Sequence, residues 1–89
     1  MLKVTRAGKF RKDVKTCQKR GCNMELMKAV ITTLAVPEEL GKKHRPHQLT
    51  GEYSGFSECH IQPDWLLIYR QTDTELQLYR TGTHADLFR

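Results

Sequence analysis

A strand, a proline-containing turn and a second strand follow one another in the second half of the chain, and this hairpin constrains the fold most. The strands are predicted at 56–61 and 65–70, with Pro63 in the turn between them. His60 closes the first strand and Asp64 opens the second. Because residues that flank a hairpin turn face each other at about 5 Å, we expect these two side chains to lie close together. A close titratable pair is the first place to look for chemistry.

The elements around this hairpin predict an α+β fold. Alternation at 2–5 predicts a first strand, and apolar residues at helical spacing predict one helix over 7–20 and another after the cap residue Asn23. Alternation returns at 75–80 and predicts a further strand. The order β-α-α-β-β-β predicts two helices packed on one face of a small antiparallel sheet, with the other face free to bind.

The charge balance of this short chain favours a polyanionic partner. Its 89 residues predict one small domain, 1–89, and they include 15 Lys and Arg against 10 Asp and Glu, for a formal net charge of +5. Nucleic acid fits such a balance first and an acidic protein second, while a basic domain without such a partner also fits. Lys12 and Lys15 belong to a basic face of the first helix that fits an RNA contact or plain solvation.

Several features of the sequence favour a cytoplasmic protein with no membrane partner. The chain contains no run of the roughly eighteen apolar residues that a membrane span needs, and its N-terminus lacks the apolar centre of a signal peptide. Its 3 cysteines are odd in number and irregularly spaced, which indicates reduced thiols rather than a disulfide framework.

Histidines and one carboxylate form the candidate site. His47 lies in the polar stretch 38–55, which we interpret as an ordered loop, and it can converge on the free face of the sheet with His60, Asp64 and His84. Imidazoles suit the base and the acid of metal-free RNA cleavage because their pKa lies near neutrality. Histidine and aspartate are also zinc ligands, although no His-x-His or Cys-x-x-Cys spacing is present. Spacing alone therefore leaves RNA chemistry, a metal site and a purely structural role open.

The second half of the chain carries three motifs in order: His47-Gln-Leu-Thr-Gly51, Gly55-Phe-Ser-Glu-Cys-His60-Ile-Gln-Pro-Asp64-Trp65-Leu-Leu-Ile-Tyr69 and Arg80-Thr-Gly-Thr-His84-Ala-Asp-Leu-Phe88. Together with Lys12-Asp13-Val14-Lys15 on the first helix, they resemble the YafQ-type branch of the RelE/ParE toxin superfamily. The resemblance implies a RelE-like fold and a bacterial toxin of a toxin–antitoxin pair. It further implies an enzyme that enters the ribosomal A site and cuts messenger RNA without a metal or other cofactor. The implied partners are a cognate antitoxin, the ribosome and messenger RNA.

The resemblance also carries site residues onto this chain. The implied catalytic residues are His47, His60, Asp64 and His84. We expect His84 to be the general acid and either Asp64 or His47 to be the general base. We expect Asp64 to hold His60. The expected RNA contacts are Arg80, which would neutralise phosphate, Phe88, which would stack on a base, and Trp65, Lys12 and Lys15.

Two alternatives from other classes remain. The superfamily shares one fold, and fold alone does not fix function. One alternative is therefore a non-catalytic RNA-binding or protein-binding module, for example a ParE-like toxin that inhibits a topoisomerase. Such a binding module would not need the set of histidines. A metal-dependent nuclease is the other alternative, and activity in the presence of a chelator distinguishes it from the metal-free enzyme.

Overall fold

The computed structural model describes residues 1–36, 44 and 46–88. The first half contains strand β1 and helices α1 and α2, and the second half contains strands β2 to β5 and the short helix α3. Their bounds are β1 Lys3–Arg6, α1 Gly8–Lys19, α2 Met24–Ala35, β2 His47–Gln48, β3 Ser57–Gln62, β4 Trp65–Gln71, β5 Glu75–Gly82 and α3 His84–Leu87, with a 3₁₀ turn at Gly51–Tyr53. Part of the predicted ordered loop, at 38–43 and 45, lies outside the described residues.

Within the described residues, five strands form one sheet in the order β1-β5-β4-β3-β2. The α+β class is therefore confirmed. The sheet is mixed rather than wholly antiparallel, because β1 pairs with β5 in parallel and the remaining neighbours pair antiparallel. A parallel pair needs a long crossover connection, and here the whole chain between the two strands supplies it.

The helices α1 and α2 cover one face of the sheet and form the main core with it. Phe10 and Cys17 of α1 and Leu34 of α2 are buried against it, as their helical spacing predicts. The side chain of Asn23 accepts a hydrogen bond from the backbone N–H of Glu25, so the predicted cap of α2 is also confirmed. The sheet contributes the alternate residues Cys59, Trp65, Leu67, Tyr69, Leu76 and Leu78.

A second apolar cluster covers part of the opposite face of the sheet, so the expectation that this whole face is free to bind was wrong. Leu66 and Ile68 of β4 are fully buried there. Tyr53 and Leu87 cover them, with Leu49, Phe56 and Tyr79 packed around the cluster. Burial of each such leucine stabilises the fold by about 1.5–3 kcal/mol, which is why the segment that follows β2 lies against the sheet. No helix of the described residues is both long and apolar enough to cross a bilayer.

Candidate active site

A capping motif fixes the position of His84. Thr83 caps α3: its hydroxyl accepts a hydrogen bond from the backbone N–H of Asp86 at 3.1 Å, and the Asp86 carboxylate accepts one from the backbone N–H of Thr83 at 3.0 Å. The spacing Thr-x-x-Asp is the sequence signature of such a box, in which each residue satisfies a donor of the other. His84 is the first residue of the helix, and its side chain is exposed.

Asp64 orients the imidazole of His84. One carboxylate oxygen of Asp64 accepts hydrogen bonds from the Nδ1 atom of His84 at 2.9 Å and from its backbone N–H at 3.1 Å. Both hydrogen bonds lower the pKa of Asp64 below its ordinary value, and the one from the His84 side chain has the larger effect. With Nδ1 engaged as a donor, Nε2 of His84 is the ring atom available to a substrate. A carboxylate with a lowered pKa is a poor proton acceptor, so the geometry fits Asp64 as an orienting group better than as a general base.

His60 is not held by Asp64, and that expectation is corrected. Its Nδ1 atom lies 3.2 Å from the carbonyl oxygen of Pro63, and its Nε2 atom lies 3.6 Å from a carboxylate oxygen of Glu58. In the hairpin His60 pairs with Leu66, and the register shifts between His60 and Gln62. This irregularity, of the kind that redirects side chains at strand ends, leaves Asp64 in the turn, where it faces α3 instead.

Glu58 is a candidate site residue that the sequence analysis missed. Its side chain is only 5% exposed, and one of its oxygens lies 3.3 Å from Nε2 of His47 and 3.6 Å from Nε2 of His60. His47 is opposite Glu58 in the pairing of β2 with β3. Glu58 and His60 are two residues apart on one strand and so share a face, a signal that the sequence did contain.

The two carboxylates bring the three histidines into one site. The ring centroids of His60 and His84 lie 5.8 Å apart. One ligand atom from each of Glu58, His60 and His84 lies within 4.8 Å of the other two, so these three residues are able to hold a metal ion. His47 joins the same group through Glu58. The arrangement thus groups three imidazoles with two carboxylates.

Phe88 lies beside the histidines and remains accessible. Its ring is 42% exposed and its centroid lies 6.3 Å from that of His84. On its other side it makes an edge contact with Tyr53, at 5.4 Å between centroids. The hydroxyl of Tyr53 donates a hydrogen bond to the carbonyl oxygen of Leu87, which ties the end of α3 to the second apolar cluster.

Arg80 and Trp65 lie in less accessible positions than an RNA contact requires. Arg80 makes two hydrogen bonds to the carboxylate of Asp13, at 2.7 and 3.1 Å, which raise its pKa and neutralise its charge locally. Trp65 is 5% exposed and its indole N–H donates to the hydroxyl of Thr81. We therefore place the Trp65 ring in the core, which corrects its assignment as a surface for RNA. Lys12 and Lys15 are both exposed on α1, so their side chains are accessible to a partner.

Comparisons with known proteins identify the family. A family model described as the bacterial toxin of type II toxin–antitoxin system, YafQ, matches residues 2–89. The mRNA interferase toxin YafQ of Escherichia coli strain K12 is 42% identical over 85 residues, which cover 92% of this chain and 90% of that protein.

Solved structures agree with this relationship. A chain in the crystal structure of the E. coli DinJ–YafQ toxin–antitoxin complex matches with a TM-score of 0.91 and 39% identity, over 99% of this chain and 98% of that chain. The metal-bound toxin from Helicobacter pylori matches with a TM-score of 0.92 and 38% identity, over 99% of this chain and 100% of that chain. The resemblance read from the motifs is thus confirmed: the chain belongs to the YafQ family of bacterial toxins of type II toxin–antitoxin systems.

Proposed function

We propose that this toxin is an mRNA interferase: a ribosome-dependent, metal-independent endoribonuclease that cuts messenger RNA in the A site. The observation that carries the proposal is the pairing of His84, fixed at Nδ1 by Asp64, with His60 at 5.8 Å between ring centroids. The relative in E. coli, which is named an mRNA interferase toxin, supports the same substrate.

The reaction is an attack of a ribose 2′-oxygen on the adjacent phosphorus, with departure of the 5′-oxygen. A base removes the proton of the 2′-hydroxyl, and an acid delivers a proton to the leaving oxygen. The products are a 2′,3′-cyclic phosphate and a 5′-hydroxyl. No metal is required when two imidazoles supply the proton transfers and cationic groups offset the charge on the phosphate.

His84 is the general acid in this scheme. Asp64 holds Nδ1 of its ring as a donor, so Nε2 is the atom that passes a proton to the leaving oxygen. The exposed side chain lets the substrate reach that atom. Phe88, beside it, stacks on a neighbouring unpaired base.

His47 is the general base, and Glu58 stabilises the cation that forms on it. The nearly buried carboxylate of Glu58 lies within ion-pair distance of both His47 and His60. His47 is the more accessible of these two rings, at 53% against 10% exposure of the side chain. His60, held between Glu58 and Pro63, then faces the phosphate and stabilises its developing charge.

A metal-dependent nuclease is the second candidate, and the cluster of Glu58, His60 and His84 favours it. The metal-bound toxin from H. pylori adds support. A metal ion on these ligands would occupy the nitrogen atoms that the proposed acid and phosphate contact use. The two schemes therefore make opposite predictions: chelator leaves the metal-free enzyme fully active and added Cu²⁺ or Zn²⁺ inhibits it, whereas chelator abolishes metal-dependent cleavage.

The same proposal includes two kinds of partner. The E. coli relative forms a complex with the antitoxin DinJ, and we propose a cognate antitoxin for this chain as well. An acidic segment that folds on binding suits a toxin with a net charge of +5. The ribosome is the other partner, and Lys12 and Lys15 contact phosphates of its RNA in this proposal.

Mapping of cut sites in a translation reaction tests the function. Wild-type protein should produce ends clustered within codons of translated frames, with EDTA sufficient to chelate trace transition metals present. His84→Gln should reduce cleavage by about 10²–10⁴-fold, since one member of an acid–base pair is lost. A His84→Gln rate within about threefold of wild type would exclude His84 as the acid. Cuts distributed without regard to the reading frame would exclude the dependence on the ribosome.

A further inference from the structure

An ion pair connects the end of α1 to the short helix that carries His84. Nη1 and Nη2 of Arg20 lie 2.7 and 3.3 Å from the two carboxylate oxygens of Asp86. Arg20 is the C-cap residue that follows α1, and Asp86 is the third residue of α3. The two residues are 66 positions apart in the chain, so this contact depends on the complete fold.

We propose that Arg20 is a positioning residue for the general acid: it acts through Asp86 to fix α3, and thereby the imidazole of His84, over the scissile phosphate. The inference rests on the proposed ribonuclease function and adds a residue that does not touch the substrate. Its basis is geometric, since Asp86 lies two residues after His84 and completes the cap of the same helix.

The short length of α3 explains why it needs an external contact. The helix has 4 residues, far fewer than the roughly twelve that an isolated helix needs to be even marginally stable. Two carboxylates therefore hold it from opposite parts of the fold. Asp64, in the turn between β3 and β4, accepts hydrogen bonds from the backbone N–H and Nδ1 of His84. Asp86 forms an ion pair with Arg20, at the end of α1.

The backbone before α3 is built closely around the same carboxylate. Gly82 has a φ of 155°, and a Cβ atom at that position would lie 2.9 Å from Oδ2 of Asp86. That oxygen also accepts hydrogen bonds from Nη1 of Arg20 and from the backbone N–H of Thr83. With these contacts Asp86 has little room to move. The ion pair with Arg20 therefore also fixes the position of the first turn of α3.

The bidentate geometry sets the choice of side chain. A guanidinium contacts both oxygens of a carboxylate and so fixes its rotation, whereas an ammonium is a point charge that contacts one. Arg20→Lys should therefore retain the charge but hold α3 less tightly, and Arg20→Gln should remove the ion pair. Displacement of a catalytic group by about 1 Å can cost about a hundredfold in rate.

Single-turnover cleavage by ribosome-bound toxin measures the effect. Arg20→Gln should lower the cleavage rate by about 10–10²-fold with unchanged affinity for the ribosome, and Arg20→Lys should restore part of the loss. The matched control is Lys19→Gln, which removes a neighbouring positive charge from α1 that has no contact with Asp86 in the structure. A rate for Arg20→Gln within threefold of wild type, or an equal loss for Lys19→Gln, would overturn the proposal.

A second readout does not depend on activity. In two-dimensional NMR of the free protein, the His84 ring and the amide N–H groups of α3 should shift in Arg20→Gln but remain unchanged in Lys19→Gln. If wild-type protein does not cleave RNA, the proposed function fails, and the NMR comparison alone still decides whether Arg20 positions His84. If Arg20→Gln does not fold, Arg20→Lys takes its place in both measurements. Unchanged signals of His84 and α3 in the folded variant would contradict the positioning role.

Discussion

Asp64 and His84 lie 20 positions apart in the chain, yet one oxygen of Asp64 accepts hydrogen bonds from both the ring Nδ1 and the backbone N–H of His84. The double contact fixes the start of α3 and the orientation of the imidazole together. A turn between two strands thus determines which ring nitrogen of the proposed acid faces the substrate.

We predict that Asp64→Asn lowers the cleavage rate by roughly 10–10²-fold without unfolding the protein, because the orienting negative charge is lost. The exposed side chain makes the thermal stability insensitive to the change. The measurement is single-turnover cleavage combined with the melting temperature. Asp73→Asn, in the exposed turn before β5, is the control and should retain the full rate. Equal rates for the two variants would exclude an orienting role for Asp64.

Glu58→Gln should reduce the rate by about 10–10²-fold, because the amide cannot stabilise a cation on His47 or His60. The dependence of the rate on pH should also change, because two imidazoles lose their anionic neighbour. The pH profile of the cleavage rate measures this effect. Glu52→Gln, at an exposed position, should leave the profile unchanged. A Glu58→Gln profile that overlays the wild-type profile would remove Glu58 from the site.

Asp13 and Arg80 are expected to act on stability. Asp13→Asn leaves the partly buried guanidinium of Arg80 without its anionic partner and weakens the contact with the backbone N–H of Thr81. Because both side chains retain some exposure to solvent, we expect a loss of about 1–3 kcal/mol rather than the larger cost of a fully buried pair. Thermal unfolding followed by circular dichroism measures the loss. An Arg80→Gln variant with wild-type stability but weaker RNA binding would instead support the predicted phosphate contact.

Acid should weaken the hold on α3. The hydrogen bond from Arg20, and then the one from the backbone of Thr83, lower the pKa of Asp86 below its ordinary value. A carboxyl group with a lowered folded-state pKa contributes stability that is complete above the unfolded-state pKa, about 3.9, and is lost as the pH falls through the folded-state pKa. The stability difference between wild type and Asp86→Asn should therefore be constant from about pH 5 to 8 and shrink below about pH 4. A difference that grows on acidification would contradict this assignment.

The basic face of α1 should govern the salt dependence of ribosome binding. If Lys12 and Lys15 each contact a phosphate, Lys12→Ala/Lys15→Ala should reduce the slope of log affinity against log salt by about 0.7 per contact. Both side chains are exposed, so the fold should be retained. Lys3→Ala/Lys28→Ala removes the same charge from other exposed positions and serves as the control. Equal slopes for the two double variants would show that the Lys12 and Lys15 side chains are solvated and do not contact phosphates of the ribosome.

Local periodicity was sufficient to predict most of the elements. The spacing of Phe10 and Cys17, the cap at Asn23 and the alternation at 75–80 each depend on neighbouring residues, and each is confirmed. The parallel pairing of β1 with β5 joins the two ends of the chain, and no local pattern encodes it. The position of the cover on the second face was missed because Leu49 and Tyr53 lie in a polar, glycine-containing segment and Leu87 lies in the short helix α3.

In the candidate site, too, some features were predictable from the sequence and others were not. The grouping of the histidines was predicted, but the expected pairing of Asp64 with His60 was wrong, and the pairing of Glu58 with His47 and His60 was missed. The shifted register after His60 turned Asp64 away from it and towards His84, and a single irregularity of this kind cannot be read from alternation. Glu58 was detectable, since a charged residue two positions before His60 must share its face of β3.

The small size of α3 affects how this enzyme loses activity under denaturing conditions. A terminal segment that depends on contacts from elsewhere opens at a lower free energy than the sheet beneath it. Under mild denaturant the protein should therefore stop cutting RNA while its tryptophan, buried in the core, still reports an intact interior. We therefore expect inactivation and global unfolding to be separate events, although the chain has only 89 residues.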